Sequence, residues 1–312
     1  MKTGTLLLNV GSPAAPEKAE IRAFLREFLM DRHVLPLPLP ARAAVVFGRV
    51  LPQRPARLAP AYASIWMPEG SPLTVHTLRL AEGLARRIGE PVEAGMTYAP
   101  PRIETALSRL RAAGAERVVC LPLFPHAAPA TTGAAESALR EAARRMGFAD
   151  RTRILPPFGE RDAFAALWHA AIGSLAPEER LILSFHGLPE RTARKIGYLD
   201  ACAATARKIA DALDLPSERR RIAFQSRFGR GKWTGPALND VLLDEARNGA
   251  RRVVVACPSF FCDGLETLEE VGSRSRRLFL DAGGERFRLV PCPNASPAAV
   301  DFLATLREGF GP

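Results

Sequence analysis

Gly114-Ala-Glu-Arg-Val-Val and Gly249-Ala-Arg-Arg-Val-Val are two copies of one punctuation mark. Each follows an amphipathic run: Ile103, Leu107 and Leu110 before the first, and Leu238, Val241, Leu242 and Ala246 before the second. A glycine at that point reads as a helix C-cap, because it enters the left-handed region without a Cβ penalty. The β-branched pair after it opens a buried strand. The first strands of the two halves also correspond, Leu6-Leu-Leu-Asn-Val-Gly with Leu181-Ile-Leu-Ser-Phe-His-Gly. Working outward, strands fall at Thr5–Val10, Glu93–Tyr98, Arg117–Leu123 and Arg153–Pro156. A second set falls at Leu181–Phe185, Arg221–Gln225, Arg252–Ala256 and Arg286–Val290. Helical patterns alternate with the strands, the mark of parallel sheets covered by helices on both faces. The expected fold is therefore α/β: two similar doubly wound domains, each a four-stranded parallel sheet flanked by helices, over residues 1–157 and 158–312. The last helix, 296–310, is expected to pack back on the first domain.

The halves differ in one place. Val10 to Glu93 is more than twice as long as His186 to Arg221, so an insertion over about 12–75 follows the first strand. In open α/β sheets ligands bind beyond the carboxyl ends of the strands, where this insertion would hang. It carries Phe24, Leu25, Phe28, Leu29 and Met30 on a helical pattern, then the proline-rich Val34–Pro40. An apolar, partly rigid flap suits a large flat hydrophobic ligand; a helical hairpin completing the core is the competing reading.

Composition removes several classes. With 312 residues, 47% apolar and 24% charged, the chain is neither disordered, collagen-like nor a coiled coil. Five cysteines are too few, and odd in number, for a disulfide scaffold, which points to a reducing cytoplasmic address. Leu6–Val10 is too short for a secretory segment. The longest apolar stretch, Val34–Pro52, is broken by prolines and by Arg42 and Arg49, so it cannot span a bilayer. The net charge of +10 is almost all arginine. At 7% aromatic and without exposed stacking motifs, the chain does not read as a nucleic-acid binder. An anionic membrane face or a polycarboxylate ligand remains.

Chemistry gathers at the strand exits. His186 ends an apolar strand and is followed by Gly187-Leu-Pro, which stops the ladder; a histidine there can be a base or a metal ligand. Asp263, Glu266 and Glu270 are spaced i, i+3, i+7 and line one face of a helix after the last-but-one strand. Three stacked acids repel unless a cation or proton lies among them, so the row suits moving hard divalent ions or protons. Other signals fail. Cys257 and Cys262 lack metal-ligand spacing, and Gly229-Arg-Gly-Lys-Trp lacks the Ser or Thr of a phosphate loop. No dinucleotide fingerprint follows the first strand. His33, His76 and His169 have no second ligand at a metal-binding interval; His126, at a strand exit, is a weaker candidate.

Ser184-Phe-His-Gly-Leu-Pro, Phe224-Gln-Ser-Arg-Phe-Gly with Trp233, and Leu265-Glu-Thr-Leu-Glu-Glu resemble the signature segments of ferrochelatases. Leu8-Asn-Val-Gly-Ser-Pro, Phe28-Leu-Met-Asp-Arg, Gly70-Ser-Pro and Thr131-Thr-Gly fit the same family in the same order, from about residue 4 to 305. The resemblance implies a chelatase fold of two similar Rossmann-like domains, with a lip from the first covering a porphyrin. It implies insertion of Fe²⁺ into protoporphyrin IX to give protohaem, with Fe²⁺ as substrate. His186 would accept a pyrrole proton or present the metal, Glu266 would stand beside it, and Asp263 and Glu270 would form an acidic track. Asn9, Val10, Tyr98, Leu188, Pro189, Tyr198, Gln225, Ser226 and Trp233 would wall the porphyrin, and Arg32 on the lip would meet a propionate.

Two departures from the family pattern matter. Val10 stands where some relatives carry Met or Tyr, and an aliphatic side chain cannot ligate iron; this favours protoporphyrin over coproporphyrin. Gly264 replaces a His found in some relatives. After Cys262 only Cys292 remains, so no iron–sulfur cluster and no permanently bound cofactor is expected. Rival readings are a coproporphyrin ferrochelatase, a cobalt or nickel tetrapyrrole chelatase, and a porphyrin or haem carrier. The Arg-bearing apolar lip at Leu35–Leu51 suggests transient contact with an anionic bilayer. Oligomeric state is not readable.

Overall fold

A computed structural model describes residues 2–229 and 231–310. The chain forms two compact units, residues 1–156 with 294–312, and residues 157–293. In the first, β1 (Thr3–Asn9) leads through α1 (Lys18–Met30), α2 (Leu39–Val45), a π-wound turn at Val46–Val50, α3 (Leu51–Ile65) and α4 (Pro72–Ile88) to β2 (Val92–Met96). Then come α5 (Ile103–Ala112), β3 (Arg117–Pro122), α6 (Ala134–Arg145) and β4 (Thr152–Ile154). The second unit runs α7 (Asp162–Ile172), β5 (Glu179–His186), α8 (Glu190–Lys195), α9 (Tyr198–Ala212), β6 (Arg220–Gln225), α10 (Leu238–Arg247) and β7 (Arg252–Ala256). It closes with a π-wound segment at Leu265–Ser275, α11 (Arg276–Asp281) and β8 (Arg286–Leu289). The chain then returns to the first unit as α12 (Pro297–Glu308), where Val300 packs so close to Gly83 of α4 that a Cβ there would lie 2.9 Å from its methyl.

Each unit holds a four-stranded, wholly parallel sheet, in the orders β2-β1-β3-β4 and β6-β5-β7-β8. The two orders are the same order. The central strands β1 and β5 have helices on both faces, which is why β1 is buried at all seven positions. Leu6 and Leu8 pack with Ile103, Leu107 and Leu110 of α5 and Leu139 of α6. In the second unit Ile182, Val253 and Val255 pack with Val241 and Leu242 of α10 and Phe279 of α11.

The repeated glycines do the same work twice. Gly114 and Gly249 both have φ of 85°. The next amide reaches back to the helix in each case, Ala115 N–H to Leu110 C=O at 3.0 Å and Ala250 N–H to Glu245 C=O at 2.9 Å. This pairing satisfies carbonyls that a helix end would leave bare.

Strand ends differ from the pattern in a few places. β2 stops at Met96 rather than Tyr98, because the Met96 amide turns to the Pro101 carbonyl (2.8 Å) as the chain doubles back. Thr97 and Tyr98 still donate their amides to Asn9 and Val10 of the neighbouring strand exit (2.9 and 3.0 Å). β5 runs one residue further than Phe185 and takes in His186, which pairs with Gln225. No helix among the described residues is long and apolar enough to cross a membrane.

Candidate active site

In each sheet the chain leaves the central strand for one neighbour and later returns on the other side. The topological switch point in the second unit lies beyond the ends of β5 and β7, where ligands of open α/β sheets bind. His186 ends β5 at that point. Its ring lies against Phe260, centroids 6.0 Å apart, in the loop that follows β7. Its Nδ1 is 2.8 Å from the Gly187 carbonyl oxygen. A carbonyl only accepts, so Nδ1 carries a hydrogen, which leaves Nε2 as the ring atom able to act as a base or metal ligand.

The segment after His186 is held on its other edge. Gly187 N–H donates to the Gln225 carbonyl (2.7 Å), Leu188 N–H to Thr234 Oγ1 (3.1 Å), and Thr234 N–H to the Leu188 carbonyl (2.9 Å). Pro189 bridges to Trp233. Leu188 is buried, Trp233 half-buried and Pro189 exposed. Gly187 is needed here because a Cβ would stand 2.7 Å from the Gln225 oxygen and 3.6 Å from the Trp233 ring.

Gln225 ties this strand end to the π-wound segment. Its side-chain oxygen accepts from Ser184 Oγ (2.7 Å), and its amide donates to the Glu266 backbone carbonyl (3.2 Å). Ser226, in the left-handed region at φ 66°, donates both its amide and its hydroxyl to the Glu270 carboxylate (2.8 and 2.7 Å). Glu266 and Glu270 are half-buried and about one turn apart on this segment.

Asp263 corrects the reading of three acids on one helix face. It lies before the segment begins, is 3% exposed, and accepts from Thr267 Oγ1 (2.8 Å) and the Cys292 amide (3.2 Å). The physical reason is where the segment starts: Gly264 is its N-cap and donates its amide to Thr267 Oγ1 (3.0 Å), so Asp263 lies off the helical face and meets it through that hydroxyl. Tyr198, also expected in the wall, is 3% exposed and turns its hydroxyl to the His186 backbone carbonyl (2.8 Å). Among the described residues no three or more His, Cys, Asp or Glu side chains converge on one metal-sized position.

The first unit carries the remaining residues. Asn9 ends β1 with its amide donating to Thr77 Oγ1 on α4 (3.0 Å) and its oxygen accepting from the Val10 amide (2.8 Å). Val10 is half-buried against the core beneath β1 and β3. Tyr98 is 5% exposed and donates to Asp31 Oδ2 (2.9 Å), while His33 donates its amide (2.7 Å) to Oδ1 and places Nδ1 2.9 Å from it. Burial alone would raise the Asp31 pKa; the His33 amide, the Tyr98 hydroxyl and the His33 ring outweigh it and hold the carboxyl below its ordinary value. Burial, with Asp31 beside it, pushes the Tyr98 phenol up. Arg32, next to this cluster, is exposed. His126, beyond β3, is 5% exposed, and burial lowers its pKa to about 4.

Spacing alone did not single out Asp31, His33, Ser259 or Thr234. Asp31 meets Tyr98, Ser259 meets His186 and Thr234 meets Leu188 across 46 residues or more, so no local pattern signals these contacts; the Asp31–His33 contact is local.

This architecture is that of the tetrapyrrole chelatases. SirB from Bacillus subtilis with Fe³⁺ superimposes with a TM-score of 0.59 over 99% of this chain and 95% of its own, at 15% identity. The sirohydrochlorin chelatase SirB from B. subtilis subspecies spizizenii in complex with cobalt gives the same TM-score over the same shares of the two chains, at 14% identity. The ferrochelatase family model matches residues 2–309. Curated ferrochelatases of Pseudomonas aeruginosa (strain LESB58), Ectopseudomonas mendocina and Coxiella burnetii (strain CbuK_Q154) are 41%, 38% and 37% identical. The alignments cover 96%, 97% and 98% of this chain and 96%, 96% and 93% of theirs. The chain belongs to the ferrochelatase family. It is a lyase of haem biosynthesis that inserts ferrous iron into a porphyrin.

Proposed function

We propose that His186 is the group that removes pyrrole protons, and that Glu266 works beside it. Insertion replaces two pyrrole N–H protons by one Fe²⁺, so a base must face the macrocycle as the metal enters. The observation that carries this reading is the Nδ1–H···O=C bond to Gly187, which leaves Nε2 as the basic atom. Glu266 has its backbone pinned by Gln225, and Glu270 is anchored by Ser226, so the acidic side of the site is Glu266 with Glu270 one turn on. Asp263 contributes by holding the start of that segment through Thr267 and Cys292. A flat porphyrin hides its nitrogen lone pairs, and binding in a saddled shape would expose them. Leu188, Pro189 and Trp233 are the apolar groups that flank His186 in the second unit.

Protoporphyrin IX is the porphyrin we assign, because Val10 offers no ligand atom and packs on a hydrocarbon core. We assign no iron–sulfur cluster: all five cysteines are buried, and only Cys292 follows Cys262. Iron and acid-labile sulfide in anaerobically purified protein would test that. We place the enzyme in the cytoplasm, touching an anionic bilayer through the lip, where Leu39 is 62% exposed and Phe47 45%.

The deciding experiment is anaerobic Fe²⁺ insertion followed by loss of porphyrin fluorescence, with porphyrin affinity measured in parallel. His186→Ala and Glu266→Gln should each lower turnover at least about 100-fold while porphyrin binding stays within a few-fold. Wild-type turnover in His186→Ala would remove the base from this position. Faster insertion into coproporphyrin than into protoporphyrin would overturn the substrate assignment.

A further inference from the structure

His186 is the last residue of β5, and its two backbone groups point away from β6. Gly187 N–H bonds to the Gln225 carbonyl on the β6 side, and alternate residues of a strand send their N–H and C=O to opposite edges. The groups of His186 therefore face the β7 side. There the ladder has already ended, with Leu183 opposite Ala256 as its last pair. A part-buried N–H and C=O left there without partners would cost free energy.

Two side chains stand in for the missing strand. The His186 amide donates to Ser259 Oγ (3.1 Å), and Tyr198 Oη donates to the His186 carbonyl (2.8 Å). Tyr198 Oη and Ser259 Oγ are themselves 3.3 Å apart. A phenol has one hydrogen, and Tyr198 spends it on the carbonyl, so Ser259 is the donor in that last contact. The result is a closed ring of hydrogen bonds, His186 N–H to Ser259, Ser259 O–H to Tyr198, and Tyr198 O–H to His186 C=O. Bonds arranged head to tail polarise one another.

We propose that Ser259 and Tyr198 are positioning residues for metal insertion, acting through the backbone of His186 to hold its imidazole with Nε2 presented and Nδ1 on Gly187. This rests on His186 being the proton acceptor. The ring fixes the peptide planes on both sides of His186, and the Gly187 carbonyl that selects the tautomer is one plane further on. Tyr198 sits at the start of α9 and Ser259 in the loop after β7, so two elements other than the strand that carries His186 set the direction of the base.

Tyr198→Phe and Ser259→Ala keep the packing and remove one hydroxyl each; Ser259→Thr restores one. Turnover should fall about tenfold in the first two and recover in the third, with porphyrin affinity unchanged within twofold. Nitrogen-15 NMR of histidine-labelled, porphyrin-free protein gives the second readout. His186 should be the Nδ1–H tautomer in wild type and a mixture of tautomers in Tyr198→Phe and Ser259→Ala. The proposal is overturned if the double variant Tyr198→Phe/Ser259→Ala inserts iron at the wild-type rate. It is equally overturned if turnover falls while the tautomer stays pure, which would mean a general loss of structure. The NMR arm is independent of catalysis. If His186→Ala retained activity, the base assignment would fail while the tautomer data still reported on the ring.

Discussion

Gly187 shows how little room surrounds the base. A methyl group there would press to 2.7 Å from the Gln225 carbonyl oxygen, a distance real Cβ atoms do not reach. The backbone would have to shift, and with it the carbonyl that accepts from His186 Nδ1. Gly187→Ala should therefore lower turnover by about tenfold or more while the protein stays folded, since small displacements of a reacting group are costly. Circular dichroism and turnover measured together check this; wild-type activity in the variant would show that the site tolerates the shift. The residue scale also holds what local pattern missed. Ser259 lies inside Cys257-Pro-Ser-Phe-Phe-Cys, where nothing in the spacing marks a serine that meets the amide of His186. Such a contact is made by the order of strands, not by neighbours in the chain.

At the scale of elements, α1 is fastened at its end. Asp31, the residue after α1, binds the Tyr98 hydroxyl beyond β2 and the His33 amide and ring. Its folded pKa is depressed, so the ionised carboxylate stabilises the native state above its unfolded value, and that contribution is lost as pH falls through the lower folded value. Asp31→Asn should melt below wild type at about pH 5, and the gap should narrow as pH falls below the ordinary carboxylate range, about 3.9, in which the unfolded chain takes up its proton. A gap that is constant with pH would show that the ionised form contributes nothing. Helices and strands themselves were legible: all eight expected strands are present, each within two residues at both ends. The largest differences have causes, such as the Met96 amide turning to Pro101. The acidic row was read with Asp263 on the helix face, whereas the π-wound segment begins at Leu265 and Asp263 precedes it, bound to the Thr267 hydroxyl and the Cys292 amide.

For the whole molecule, the charge of +10 and the exposed Leu39 and Phe47 give the proposed membrane contact its test. Arg42 does not serve as a free cation there, because its guanidinium donates to the Met30 and Leu37 carbonyls and braces the turn before α2 (2.6 and 2.8 Å). Arg49 is exposed. Flotation should recover more protein with anionic than with neutral liposomes, and Leu39→Ser with Phe47→Ser should reduce recovery several-fold. Equal recovery from both lipids would remove the electrostatic part, and no effect of the double variant would place the contact elsewhere.

Periodicity, glycine punctuation and motif order were enough, within the sequence, for two α/β halves of one topology and for the ferrochelatase family. They sufficed because burial on two faces of a parallel strand and the end of a helix each demand particular residue types nearby in the chain. The state of those residues was decided only by the tertiary structure. That Tyr198 turns its hydroxyl to the His186 carbonyl, that Ser259 meets the His186 amide and that Asp263 accepts from the Cys292 amide all depend on partners far along the chain. A hydrogen bond is settled within a few tenths of an ångström, and distances of that kind follow from packing and not from spacing along a chain.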